Sequence, residues 1–207
     1  MLRSGKLSAP GAYYLIVFGD AFLFTFGENI LILFQTNEAA LSAAQLLALT
    51  AVYRVVIMVF EVPTGVVADT VGRRASITAG FVLMGLGLLI SGVQPEFSTL
   101  LIGEIALGIG FTFLSGAHQA WIADEVGVAE ANPIYVRATQ FSMWLWAAAI
   151  PLGVLLSALR INLPILIAGV ALVILGLVLS RTMPETGFRR RGAGAFSLRW
   201  VGREMRS

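Results

Sequence analysis

EVPTGVVADTVGRR, residues 61–74, is the point where a long apolar run breaks into a short charged turn. Residues 45–60 before it are mostly apolar, and another apolar run opens directly after Arg74. A loop this short between two runs long enough to cross a bilayer forces an antiparallel helix pair, with the charges held at the membrane surface. Gly65 is expected to admit a close backbone neighbour, and Gly72 to permit the sharp turn. Asp69 can cap a helix or face the positive end of a partner helix, while Arg73 can grip a carboxylate through two hydrogen bonds. Taken alone, Gly-Arg-Arg is a basic turn that anchors topology. The rest of the chain must decide whether it is more.

Composition sets the solvent. Of 207 residues, 57% are apolar and only 13% charged, too little charge to cover a water-soluble domain, so the bilayer is the expected environment. The chain has no cysteine, which excludes a disulfide framework and thiolate-held metal. Basic residues gather at the ends of apolar runs rather than in a patch, which argues against nucleic acid as a partner. No nucleophile–base pair and no metal-ligand spacing points to an enzyme, and no cofactor is expected. The lone His118 has no second ligand nearby and is read as a hydrogen-bonded packing residue.

Six apolar stretches follow one another at 11–34, 45–68, 76–93, 98–122, 138–159 and 163–180. They predict an all-α integral membrane protein with six transmembrane helices. The first stretch is too long for a signal-peptide core and is read as a retained helix. The third carries no charge, and its Gly80, Gly85, Gly87 and Gly92 suit close helix packing. The polar segment 123–137, with Asn132-Pro133, reads as a loop. Residues 1–181 then form a bundle and 182–207 a basic tail. With both termini inside, the cytoplasmic segments hold Arg3, Lys6, Arg73, Arg74, Arg137, Arg181 and the arginines of the tail, whereas the outer loops hold only Arg160. That asymmetry predicts a multi-pass protein of the cell membrane with cytoplasmic termini.

Gly65, Asp69, Gly72, Arg73 and Arg74 resemble the loop between the second and third helices of the major facilitator superfamily, G-x-x-x-D-[RK]-x-G-R-[RK], with Thr70 standing in place of a basic residue. AWIADE, residues 120–125, resembles the end of helix four in these transporters, and the resemblance implies that Asp124 completes a charge network with the loop. EVPTG at 61–65 and MPETGF at 183–188 resemble an efflux-like branch. The implied fold is the amino-terminal half of a facilitator, two inverted three-helix repeats, with the tail as the start of a central linker. The implied function is secondary transport of small solutes by alternating access, coupled to a proton gradient, with the carboxy-terminal half or a second copy as partner. The other reading is a non-transporting membrane assembly module or an inactive truncation product. Two departures set the chain apart from proton-coupled drug exporters. Glu104 stands before Gly108 where many proton-coupled members carry arginine, and of the glycine-rich signature of helix five only Pro151 and Gly153 remain.

Charges inside apolar helices are costly and usually functional. Asp20, Glu28, Arg54, Glu61, Glu104 and His118, with Trp144 and Trp146, are the candidate substrate or proton pathway. Counted at about 1.5 Å per residue, Glu28, Arg54 and Glu104 fall about 7–13 Å from the outer face, and Asp20, Glu61 and His118 nearer the inner one. Arg54 can form a structural ion pair with Glu28 or Glu104; the excess acid can take up a proton or bind a cation. Trp144 and Trp146, two residues apart, are expected on different sides of helix five, one toward lipid or a neighbour and one toward a cavity. Trp121 and Trp200 suit interfacial belts. Helices one, two, four and five are expected to supply a polar face, and helices three and six to pack on the lipid side. In the tail, Phe196, Trp200 and Met205 can share one side of a short helix flanked by Arg199, Arg203 and Arg206, suited to an anionic leaflet, or the tail can be a disordered basic linker.

Overall fold

Six helices, each long and apolar enough to cross a membrane, run through the computed structural model, which describes residues 6–188. They are Ala9–Asn37, Ala43–Thr70, Arg73–Val93, Phe97–Val126, Val128–Ser157 and Leu163–Thr182, here spans one to six. Every regular element among the described residues is helical. The expectations for the tail beyond residue 188 lie outside the described residues.

Local chemistry sets the ends. Ser8 accepts from the Gly11 amide at 3.3 Å, with Pro10 in the first turn of span one. Ser42 and Gln45 cap span two reciprocally, each side chain taking the other's backbone amide at 3.3 and 3.0 Å, the arrangement that satisfies two otherwise orphaned donors. Span one widens into a π-helical turn over Asp20–Phe24. Span four is interrupted at Ser115–Gly116, where Gly116 takes φ 72°. The segment 123–137 is not a loop. Span four continues to Val126 and span five starts at Val128, so Gly127 alone is the turn, at φ 96°. Its amide donates to Ala123 O at 2.9 Å and its carbonyl accepts from Ala131 at 3.0 Å, so both helical ladders share this one residue. Pro133 lies within span five, where it removes a single ladder bond near the helix start.

Glycine governs the packing. A Cβ on Gly85 would lie 2.6 Å from Gly169 O of span six, and one on Gly169 would lie 2.8 Å from Gly85 O. Against span four, Gly80 would meet Gly110 O and Gly87 would meet Gly103 O, each at 2.9 Å. Lipid removes the hydrophobic drive between helices, so close backbone approach and dispersion must hold them together. Spans three and six are therefore the most buried, with Phe81, Met84, Leu88 and Leu172 fully enclosed. Both still keep an apolar outer side, with Leu86 of span three and Ile167, Val170 and Ile174 of span six exposed. Spans two and five are the least buried, and expose Met58, Val62, Trp144 and Leu155.

Neighbouring spans run in the order two, four, three, six, one, five. Exchanging one with four, two with five and three with six reverses that order and preserves every neighbour pair. Three crossings return the chain to the opposite side, so the second triplet is inverted relative to the first. The two ends of the bundle are tied separately. Leu7 donates its amide to Thr182 O at 3.0 Å at the end that carries the 61–74 loop, and Asn162 Nδ2 donates to Gly92 O at 2.8 Å at the far end.

Candidate functional site

At the loop end, span two runs to Thr70 and Gly72 turns the chain with φ 144°, ψ 145°, a conformation that only glycine adopts without strain. Arg73, the first residue of span three, then reaches two acids: its Nε lies 2.6 Å from Asp124 Oδ2 and its Nη2 lies 3.4 Å from Asp69 Oδ1. The Arg73 side chain is 10% exposed, so it sits as a partly desolvated cation between the ends of spans two and four, where its attraction to carboxylate is stronger than on an open surface. Nothing in the described chain lies within 4 Å of where a Cβ on Gly65 would be, so no described helix makes the close approach there.

The segment after span six closes this end, with contacts the sequence did not reveal. The Arg74 amide donates to Glu185 Oε1 at 2.9 Å and its guanidinium lies 3.6 Å from Glu185 Oε2. Glu125 accepts from the amides of Thr186 and Gly187 at 2.6 and 2.7 Å, and from Thr186 Oγ1 at 2.6 Å. Trp121 is fully buried and donates Nε1 to Pro184 O at 3.0 Å. It is therefore a strut under this segment, not an interfacial anchor, because its indole N–H finds a partner inside the fold. A Cβ on Gly187 would collide with the Asp124 carbonyl. The stretches AWIADE and MPETGF were visible as two separate likenesses; that they clasp each other follows only from spans four and six ending side by side.

Beside the latch, Tyr13 of span one stacks on His118 of span four at 5.9 Å and meets Tyr135 of span five edge-on at 5.7 Å. His118 Nδ1 pairs with Leu114 O at 3.0 Å, and Tyr135 donates to Gln119 O at 2.7 Å. Spans one, four and five are thus drawn together at the loop end.

Glu28, Arg54 and Glu104 gather toward the far end. A cavity of about 210 Å³ lies among spans one, two and four, lined by Glu28, Gln35, Tyr53, Arg54 and Glu104 together with apolar side chains. Gln35, itself buried, donates Nε2 to Glu104 Oε1 at 3.1 Å. The structural ion pair is not made: among the described residues no carboxylate oxygen lies within 4.0 Å of the Arg54 guanidinium. Arg54 instead lies 5.5 Å from the ring centre of its neighbour Tyr53, and it leaves both acids facing the cavity. Of the remaining candidates, Asp20 opens the π-helical turn of span one and Glu61 is exposed on span two. Trp144 and Trp146 are 77% and 51% exposed. Neither tryptophan lines the cavity among spans one, two and four; two residues apart, they leave span five on different sides.

Six helices in inverted triplets, bridged by charge at one end and with acids around a cavity toward the other, describe a multi-pass membrane protein. Its similarities in sequence are to transporters. No family model matches the chain. It is 29% identical over 121 residues, 48% of this chain and 20% of the other, to solute carrier family 2, facilitated glucose transporter member 12 of Homo sapiens. It is 35% identical over 60 residues, 29% of this chain and 10% of the other, to the protein of the same name from Macaca fascicularis. It is 24% identical over 78 residues, 38% of this chain and 20% of the other, to an uncharacterized MFS-type transporter of Methanocaldococcus jannaschii. The chain spans a fifth or less of the length of the curated relatives it matches.

Proposed function

We propose that the chain is a six-helix half of a major facilitator carrier that moves a small solute across the cell membrane by alternating access, with both termini cytoplasmic. The observation that carries this reading is the Arg73 bridge, which joins Asp69 of span two to Asp124 of span four at one end of a bundle whose acid-lined cavity lies toward the other. A bistable bundle needs such a bond, strong enough to hold one end shut and exposed enough to be broken. Asp124 is a third exposed and Asp69 slightly more, so water can compete for both. The exposed apolar faces of spans two and five, and the empty space over Gly65, support a carboxy-terminal half or a second copy packing there. The likeness of residues 61–65 and 183–188 to efflux-like carriers favours export as the direction. Residues 1–181 then act as the moving bundle and 182–207 as the start of its linker. Acids in the spans suit coupling to a proton gradient.

Because the chain has no cysteine, one introduced thiol reports one place. Thr50→Cys reads the far-end cavity and Gln119→Cys the loop end. Unlatching with Asp124→Asn should raise impermeant-maleimide labelling of Gln119→Cys and lower that of Thr50→Cys. Labelling at both sites that ignores the latch would leave a static assembly module, the competing reading.

A further inference from the structure

The far-end cavity is chemically lopsided. It presents two carboxylates, Glu28 and Glu104, and one guanidinium, Arg54, that pairs with neither. One acid is therefore in excess, in a setting where uncompensated charge is expensive. Gln35 spends its amide on Glu104 and fixes that carboxylate in place. The volume, about 210 Å³, is that of roughly seven waters at ~30 Å³ each, far more than a coordinated alkali ion fills. Beside Thr50 and Tyr53, its remaining wall is apolar, built from Phe24, Leu31, Ile32 and Leu107. A ligand that suits this space carries one positive charge and a compact apolar body.

We propose that the cavity among spans one, two and four binds a small organic monocation, a primary amine whose ammonium sits between Glu28 and Glu104 and whose carbon body lies on Leu31, Ile32 and Leu107. The assignment rests on the carrier reading and names its solute class. Arg54 is the discriminating residue. For a cation it is a competitor; for a zwitterion or an anion it would be the anchor.

The experiment uses the full chain in nanodiscs with phenethylamine as the probe, beside 2-phenylethanol, D-glucose and sodium chloride. Binding is read by calorimetry and by protection of Thr50→Cys from maleimide. Phenethylamine should bind saturably and protect the thiol. Glu104→Gln should weaken it about tenfold or more, as loss of one charge-assisted hydrogen bond does, and Arg54→Gln should tighten it. Should Glu104→Gln fail to fold, Glu28→Gln carries the same expectation. Equal binding of 2-phenylethanol or glucose, protection by sodium alone, or weaker binding in Arg54→Gln would overturn the assignment. Loss of amine binding with the two-ended labelling intact would remove the solute class and leave the carrier standing. Loss of both would remove the carrier.

Discussion

Arg73 Nε lies 2.6 Å from Asp124 Oδ2, across fifty-one residues of sequence, and is the shorter of the two contacts this guanidinium makes with carboxylates. Asp69, one turn before it, stands at 3.4 Å. Asp124→Asn should therefore cost more stability than Asp69→Asn, roughly 1–2 kcal/mol for a part-exposed pair against a few tenths. Thermal unfolding in detergent checks the order. Equal losses would mean that Arg73 is held by its burial and not by Asp124.

Glu125 gathers the backbone of Thr186 and Gly187, and Arg181 just before that segment is exposed. Glu125→Ala should free residues 183–187 and speed tryptic cleavage after Arg181 several-fold, with the bundle still folded by circular dichroism. Cleavage at the native rate would show that Trp121 and Glu185 suffice to hold the segment.

Two glycines separate packing within the bundle from packing outside it. Gly85→Ala drives a methyl group into the Gly169 carbonyl and should cost about 1–3 kcal/mol as spans three and six are pushed apart. Gly65→Ala meets nothing and should stabilise the isolated bundle by about 0.5–1 kcal/mol through helix propensity. If another half packs over Gly65, the same change should impair the assembled carrier. Chemical denaturation of the bundle and labelling of the assembly read the two effects apart.

Tryptophan burial gives a spectroscopic check. In single-tryptophan variants reconstituted with brominated lipid, Trp144 should be strongly quenched and Trp121 hardly at all, since the first is 77% exposed and the second 1%. Quenching of Trp121 would place span four on the outside and contradict the order of spans.

Six helices, their number and rough limits, were legible because each apolar run must satisfy its backbone internally once in lipid. The turn at Gly72, the acids at 69 and 124 and the close-packing glycines of span three were legible for similarly local reasons: charge at a helix end, or the absence of a side chain. The loop expected at 123–137 misled because Asn-Pro reads as a turn, whereas one glycine at positive φ already reverses the chain and leaves Pro133 near a helix start. The tertiary structure alone decided which charges meet. Spacing put Arg54 level with Glu28 and Glu104, but its guanidinium makes no ion pair with either and lies 5.5 Å from the Tyr53 ring centre, while Gln35 takes Glu104. It also decided that spans three and six supply most of the buried core, where glycines bring their backbones together. Glu125 and Glu185 found partners only when spans four and six ended together, since hydrogen bonds to backbone amides leave no trace in side-chain pattern.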